Sequence, residues 1–198
     1  MDQDEARSRL LDAAEELFSA RGVHAVGMDD IRAASGVSLK RLYQCFPSKH
    51  DLVEGWLRRR DTRWRAALAT HVLRDAGAPR DRVLAVFDWL HAWCAGPGFR
   101  GCAFVNTFGE LGAVAPGVAR AARDHKQAVR EYLTTLAQDA GAADPAALGE
   151  QLTLLVDGAI TTAAIGGDPA AVGHARAAAQ TLTRAATAGR RNGDVDKG

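Results

Sequence analysis

The chain has 198 residues, of which 47% are hydrophobic and 25% are charged, and its formal net charge is +1. This balance is typical of a folded globular protein, and a chain of this length can bury a sizeable core in one or two domains. The near-neutral charge excludes a protein that binds nucleic acid through bulk charge alone. A nucleic-acid partner must therefore be argued from local charge.

Two further features limit the class of protein. No segment reaches the roughly 18 uninterrupted apolar residues of a membrane helix, and the acidic start MDQDEARSR lacks the pattern of a signal peptide, so we expect a cytoplasmic protein with no membrane partner. The wide spacing of Cys45, Cys94 and Cys102 favours buried thiols over a disulfide framework or a paired-cysteine metal site. We expect no cofactor and no bound metal, because no His shares ligand spacing with a Cys.

Apolar periodicity and helix stops predict a helix-turn-helix near the N-terminus. A first helix is predicted over 5–21 and ends at Gly22. Two much shorter helices follow, joined by a glycine-containing turn at 35–37 and stopped by Pro47, and such a turn sets the second helix across the first. The positions that we expect to pack are Met28, Ile31 and Ala34 in the first short helix and Leu39, Leu42 and Phe46 in the second.

Positive charge is concentrated in the second short helix and just beyond it. Residues 31–50 hold cations but no Asp or Glu. Lys40, Arg41 and Gln44, beside Tyr43, offer donors for base edges and phosphates on one helical surface. This pattern favours an element that reads DNA. From charge alone, a solvated face on an ordinary helical bundle is the alternative.

A long helix is predicted to begin at Ser48 and to reach about Leu73. Ser48 and Asp51 have the spacing of a capping box, and the free N–H groups at this helix start, together with Lys49, form a natural phosphate site. No strand pattern competes, so we predict an all-α protein. Further helices are predicted at about 80–95, 103–112, 117–139, 145–165 and 169–188.

Residues 10–57, LLDAAEELFSARGVHAVGMDDIRAASGVSLKRLYQCFPSKHDLVEGWL, resemble the DNA-binding region of the tetracycline-repressor (TetR) family of bacterial transcriptional regulators. The resemblance implies a homodimer whose N-terminal domains bind adjacent major grooves of a double-stranded DNA operator. It also implies a larger C-terminal domain that holds a small-molecule effector. We therefore expect a helix-turn-helix domain at 1–47, a ligand-binding and dimerisation domain at 48–188, and a mobile tail at 189–198.

The resemblance also implies DNA-contacting residues, position by position. Base or groove contacts are implied for Lys40, Arg41 and Gln44, and phosphate contacts for Tyr43 and Lys49. Ser38 looks like the cap of the recognition helix, and Met28 and Leu39 complete the set. The adjacent Lys40 and Arg41 suggest an operator with guanines at the contacted steps.

Three positions depart from the family pattern. Gly27 stands where the family often has Ser or Thr as cap and phosphate ligand, and Asp29 stands where it often has a cation or a neutral residue. Both argue against phosphate contacts from the start of the second helix. Cys45 stands where the family often has an aromatic residue.

The segment 99–112, FRGCAFVNTFGELG, is rich in aromatic and small residues, with Asn106 and Glu110 embedded in it. Together with aromatic residues elsewhere in the body it can line an apolar pocket, and by resemblance such a pocket holds the effector. Plain core packing is the alternative for any one of these residues. The candidate ligand-binding residues are Trp64, Phe87, Leu90, His91, Trp93, Phe104, Asn106 and Phe108.

Two other patterns concern surfaces. The run RRRDTRWR at 58–65 could form a second DNA-binding surface, but Arg58 lies about 13 Å along the helix from Lys49, too far for contact with the same groove. A solvated or salt-bridged face is therefore favoured for this run. Small-residue stripes on the last two helices, at about 145–165 and 169–188, suit close helix contacts, and we expect these helices to meet their twofold mates in a four-helix dimer bundle. The alternative is that they cover the core of one subunit. The stripes are Leu148, Leu152, Leu155, Ala159 and Ala163 on one helix, and Ala175, Ala178, Ala179 and Leu182 on the other.

The leading hypothesis is a ligand-responsive repressor that a small apolar effector releases from a palindromic operator. A small-molecule-binding helical receptor without a repressor role is the alternative, as is a thiol redox sensor that uses Cys94 or Cys102. We expect no catalytic residues: His91 and Cys94 lie one turn apart, but no oxyanion-forming or orienting motif accompanies them.

Overall fold

The computed structural model describes residues 2–75 and 77–188, and it folds them into nine α-helices with no strand among these residues. The all-helical prediction is confirmed, and the last five helices lie within one residue of their predicted bounds. The predicted tail at 189–198 lies outside the described residues. The helices are α1 (Gln3–Arg21), α2 (Met28–Ser35), α3 (Leu39–Cys45), α4 (Lys49–Asp75), α5 (Pro79–Cys94), α6 (Ala103–Leu111), α7 (Pro116–Asp139), α8 (Pro145–Gly166) and α9 (Ala170–Thr187).

Local capping signals set the ends of the short helices. Ser38 Oγ accepts a hydrogen bond from Arg41 N at 3.4 Å at the start of α3, and Ser48 Oγ accepts from Asp51 N at 3.2 Å at the start of α4. Gly36, at φ 66°, ends α2 in the left-handed conformation that favours glycine. These contacts confirm the two predicted caps and the glycine turn of the helix-turn-helix.

The chain divides into two compact units. The first comprises Met1–Arg63 and Cys102–His125, and in it α1 packs against α2 and α3. The second takes its described residues from Trp64–Gly101 and Lys126–Gly198, and in it α5, α8 and α9 pack on one another. Helices α4 and α7 each supply residues to both units. The predicted domain boundary after residue 47 falls in the break between α3 and α4 and stays a prediction.

The core of the first unit extends beyond the three N-terminal helices. Leu10 of α1 and Leu42 of α3 are fully buried in one cluster with Leu57 of α4. Phe104 of α6 and Val118 of α7 belong to the same cluster. Because each such side chain stabilises the fold by about 1.5–3 kcal/mol when buried, the segments from α4, α6 and α7 supply stability that three short helices cannot provide alone.

The packing face of the short helices differs from the prediction at two positions. Leu39 is 50% exposed and Ala34 is exposed, so the predicted packing role is wrong for both. Leu39 is the first residue of α3 and lies ahead of the turn whose inner side is formed by Leu42 and Cys45. The other predicted packing positions are buried or half-buried, namely Met28, Ile31, Leu42 and Phe46.

The small-residue stripes of α8 and α9 lie mostly inside the second unit. Their buried members are Leu148, Leu152, Ala159, Ala163, Ala175 and Ala179. These residues therefore pack in the core of one subunit, as the alternative has it, and contact of α8 and α9 with a partner subunit stays a prediction. The cause is close packing inside the unit: on α8, a Cβ at Gly149 would stand 2.2 Å from Thr134 Oγ1 of α7. Leu155, Ala178 and Leu182 are half-buried.

Candidate nucleic-acid interface

Helix α3 presents a polar face to solvent. Lys40, Tyr43 and Gln44 are exposed, whereas Leu42 is fully buried and anchors the opposite side. Arg41 is half-buried. The structure therefore brings four predicted DNA-contacting residues together within two turns, on a helix whose other face is held by the core. This is the arrangement that a recognition helix needs in order to enter a major groove.

The end of α3 is held by a residue that the sequence patterns do not indicate. Arg7 of α1 donates from Nη1 to the carbonyl oxygen of Cys45 at 3.2 Å, which satisfies one of the free carbonyls at a helix C-terminus. Its guanidinium also lies 4.4 Å from the centroid of the Phe46 ring, in a cation–π contact. Arg7 thus ties the last turn of the recognition helix to α1.

A glycine of α4 makes room for the same contact. An added Cβ at Gly55 would stand 2.8 Å from Phe46 Cε1 and 3.4 Å from Arg7 Nη2. Phe46 is only 2% exposed, so its ring has no solvent-filled space to move into. The three residues Arg7, Phe46 and Gly55, called here the α3 joint, fix the exit of the recognition helix against α1 and α4. A glycine inside a helix is a sequence signal for such a close approach, and this signal could have indicated the contact at Gly55.

The start of α2 is capped from within the chain. The Gly27 N–H donates to Asp30 Oδ2 at 2.8 Å, and Asp30 also pairs with Arg21 at 3.6 Å. The Gly27 hydrogen bond and then Arg21 hold the pKa of Asp30 below its usual value. Met28, the first residue of α2, is half-buried against the core. The negative charge of Asp30 at this helix start would repel a phosphate, which supports the argument that α2 makes no phosphate contact there.

Lys49 lies at the first position of α4 and is half-buried. Its Nζ donates to the carbonyl oxygen of His24 at 3.3 Å. An ammonium has three donors, so this bond leaves two for another acceptor such as a phosphate. Lys49 is therefore held at the helix start that was predicted to bind phosphate.

The arginine run of α4 is engaged in ion pairs, as predicted. Arg58 pairs with Glu54 at 2.8 Å and with Asp124 at 3.3 Å. Arg59 pairs with Asp12 at 2.8 Å, and Arg60 pairs with Glu15. The prediction of a solvated or salt-bridged face is confirmed for these three arginines.

The predicted ligand-binding residues are divided between the two units. In the second unit Trp64 contacts Trp93 edge-to-face at a centroid distance of 5.9 Å, and both rings contact Trp89, at 5.0 and 6.0 Å. Phe99 packs against Trp93 at 5.0 Å. Four half-buried aromatic rings thus form one group, called here the tryptophan cluster. Two of its members, Trp89 and Phe99, were not among the predicted residues.

The other members of the predicted ligand set differ in exposure. Phe87 and Leu90 are fully buried core residues of the second unit, whereas His91 is exposed. In the first unit Phe104 is buried and stacks on the His125 ring at 3.7 Å. The remaining two, Asn106 and Phe108, lie on the exposed side of α6. The assignment of all these residues to a ligand site stays a prediction.

A cavity of about 470 Å³ in the second unit is lined by other residues. Its polar lining includes His71, Asp81, Asp88 and Arg176, and Arg176 binds Asp88 through two hydrogen bonds at 2.7 and 3.2 Å. None of the eight predicted ligand-binding residues lines this cavity. The cavity has the size of a small-molecule site but a more polar wall than the predicted pocket.

The described residues show no arrangement of three or more His, Cys, Asp or Glu side chains that suits a metal ion. Cys94 is 7% exposed, and burial raises the pKa of its thiol to about 11. Because the thiolate is the reactive form, this environment disfavours Cys94 as a redox sensor. Within the described part of the chain, no helix is both long and apolar enough to cross a membrane.

Comparison with known proteins agrees with this geometry. Residues 10–55 match the family of bacterial regulatory proteins described as the tetR family, and residues 79–179 match the tetracyclin repressor-like C-terminal domain. The transcriptional activator FasR of Mycolicibacterium smegmatis is 51% identical over 57 residues, which are 29% of this chain and 26% of FasR. The uncharacterised regulator Rv1255c of Mycobacterium tuberculosis is 34% identical over 79 residues, 40% of this chain and 39% of that protein. These matches thus span well under half of either relative.

Solved structures are similar over nearly the whole chain. The TetR-family regulator SCO4454 of Streptomyces coelicolor is 33% identical, with a TM-score of 0.83 over 93% of this chain and 97% of that one. A tetR-type regulator of Streptomyces avermitilis is 34% identical, with a TM-score of 0.79 over 91% and 97% of the two chains. The chain therefore belongs to the TetR family of bacterial transcriptional regulators, a non-enzymatic family with an N-terminal DNA-binding helix-turn-helix.

Proposed function

We propose that this regulator is a homodimeric repressor, that it binds a palindromic operator through α3, and that a small apolar effector releases it. The observation that carries the proposal is the exposed set Lys40, Tyr43 and Gln44, with Arg41, on a helix that the α3 joint holds in place. Such a helix offers base-edge and phosphate donors at fixed positions. A regulator of this kind acts on the chromosome, so we also propose a cytoplasmic location.

The exposed side of α8 supports a dimer better than the buried stripes do. Leu154 is 73% exposed and Ile165 is 84% exposed. Gly158 and Thr161 lie between them on the same side, at helical spacing, and both are exposed. We therefore propose that the exposed side of α8, formed by Leu154, Gly158, Thr161 and Ile165, meets its twofold mate in a self-complementary interface, together with the exposed small residues of α9. The proposed helices are the predicted ones, but the contacting residues are different.

The tryptophan cluster supports an apolar or aromatic effector, because its rings are only half-buried and offer edges and faces to a flat ligand. Trp64 lies on α4, the helix that begins at Lys49 beside the proposed DNA contacts. A tilt of α4 on effector binding would therefore displace Lys49. Such an effector releases DNA only if it binds better to a conformation that no longer matches the operator.

The experiment that tests this function is a gel-shift titration of the wild-type protein with DNA from upstream of its own gene, compared with a shuffled duplex. We expect preferential binding to a palindromic segment. A reporter gene driven by the same DNA decides the sign of regulation: transcription rises on deletion of a repressor and falls on deletion of an activator, the role that FasR's name carries. Absence of any sequence preference would contradict the proposed function.

Effector candidates are screened by tryptophan fluorescence with and without operator DNA. Because coupling between two ligands is reciprocal, operator must weaken the affinity for a true inducer by the same factor by which the inducer weakens operator binding, typically about 5 to 150-fold. Equal affinity in both titrations removes a compound from consideration. A compound that binds by calorimetry but leaves tryptophan fluorescence unchanged points instead to the polar cavity lined by Asp81 and Arg176.

A further inference from the structure

The backbone of His24, in the turn between α1 and α2, is hydrogen-bonded through both its N–H and its carbonyl oxygen. Its N–H donates to Glu110 Oε2 of α6 at 2.7 Å, and its carbonyl oxygen accepts from Lys49 Nζ of α4 at 3.3 Å. Three segments that are distant in sequence, namely the α1–α2 turn, the start of α4 and the end of α6, therefore meet at the backbone of one residue of the first unit.

The turn passes close to this carboxylate. Gly22 has a φ of +80°, which favours glycine, and a Cβ placed there would stand 3.8 Å from Glu110 Oε1. Arg21 and Asp30 pair at 3.6 Å across the same turn. A carboxylate that accepts a backbone N–H at 2.7 Å makes a charge-assisted hydrogen bond, which is among the stronger polar contacts in a protein.

We propose that Glu110 is a positioning residue for DNA binding: it holds the backbone of His24 through its N–H and thereby orients Lys49, which bonds the His24 carbonyl oxygen at the start of α4. This inference rests on the proposed function, because Lys49 is one of the proposed phosphate contacts. Without the carboxylate the His24 N–H has only water to bond to, and the turn can shift. Lys49 then loses a fixed carbonyl partner and no longer presents its two remaining donors in one direction.

Removal of the negative charge of Glu110 has opposite expected effects on DNA affinity for a positioning role and for a purely electrostatic role. A carboxylate near DNA repels the phosphates, so removing it for electrostatic reasons alone tightens binding. A positioning role predicts the opposite sign for Glu110→Ala. Glu110→Gln discriminates further, because the amide oxygen can still accept the His24 N–H although the charge is gone. Glu16, exposed on α1, supplies a control with the same change of charge as Glu110→Ala.

The experiment measures binding of the full-length wild type and of Glu110→Ala, Glu110→Gln and Glu16→Ala to one fluorescent duplex at fixed salt. The duplex is the one that wild type selects from a random-sequence library. We expect Glu110→Ala to bind about tenfold more weakly, as for the loss of one charge-assisted hydrogen bond. Glu110→Gln and Glu16→Ala should bind as tightly as wild type or slightly more tightly.

Hydrogen exchange at the His24 amide measures directly whether its N–H is bonded to Glu110. It should be faster in Glu110→Ala than in wild type and restored in large part by Glu110→Gln. Tighter binding by both Glu110 variants, or equal weakening in both, would overturn the positioning role while leaving the proposed function intact. If wild type selects no duplex from the library, the proposed function fails and this inference fails with it.

Discussion

The α3 joint makes a prediction for the substitution Gly55→Ala. In an ordinary helix this change stabilises a protein by about 0.5–1 kcal/mol, because glycine loses more conformational freedom than alanine on folding. At Gly55 the new methyl would stand 2.8 Å from Phe46 Cε1, whereas ordinary contacts lie at 3.4–4 Å. The buried Phe46 ring must therefore move by about half an ångström or more, and such overpacking costs about 1–3 kcal/mol.

The two contributions leave a net destabilisation of about 1 kcal/mol, which for a chain of this size lowers the Tm by about 2–4 °C. Gly109, inside α6, is the matched control, because an added Cβ there meets nothing within 4 Å. Gly109→Ala should raise the Tm by a similar amount. Calorimetry or circular dichroism on both variants measures the difference. A Tm increase for Gly55→Ala equal to that of Gly109→Ala would refute the packing argument at Phe46.

The same substitution should also affect DNA recognition. Displacement of Phe46 shifts the last turn of α3, so Gly55→Ala should lose affinity for the selected operator while keeping most of its affinity for a shuffled duplex. Fluorescence anisotropy with both duplexes gives the ratio of the affinity for the operator to the affinity for the shuffled duplex. If the variant keeps the wild-type ratio despite a lowered Tm, the α3 joint stabilises the fold but does not orient the recognition helix.

Four further predictions concern DNA contacts, the dimer and the thiol. Lys40→Ala or Arg41→Ala should weaken operator binding by about 1–3 kcal/mol and relax preference at one or two base pairs; equal losses on operator and random DNA would make these residues phosphate contacts. Lys49→Ala should reduce the slope of log affinity against log salt by about one unit, and an unchanged slope would argue against its phosphate contact. Leu154→Glu should give monomers in sedimentation that lose operator affinity, since a charge would be buried without a partner; intact dimers would place the interface elsewhere. Because burial raises the pKa of the Cys94 thiol from 9.0 to about 11, that thiol should alkylate about 100-fold more slowly at pH 8 than in the unfolded chain, with the rate rising as pH approaches 11; equal rates would restore the thiol-sensor alternative.

Local signals account for what could be predicted of the fold. Ser38 and Ser48 cap helices through bonds to residues three positions on, and Gly36 and Pro47 stop helices through their own backbone preferences. These signals act within a single turn, so one sequence is enough to place them. The polar face of α3 follows from the same short-range spacing.

Contacts between distant segments account for what was missed. Arg7 reaches Cys45 across 38 residues, and no periodicity indicates such a pairing. Helix α8 carries apolar residues on more than one side, with Leu152 fully buried and Leu154 largely exposed. Periodicity therefore could not tell which side of α8 faces the core of its own subunit and which side is left for a partner. Tertiary packing decides both features.

The central claim is that α3 reads DNA as part of a twofold-symmetric dimer. The most direct measurement is selection of duplexes from a random-sequence library by the full-length protein, followed by sequencing of the bound fraction. The proposed dimer predicts enrichment of an inverted repeat whose half-sites lie about one helical turn apart, or a multiple of it, and loss of that enrichment with Arg41→Ala. A bound fraction without an enriched sequence, or one with a single asymmetric site, would contradict the claim.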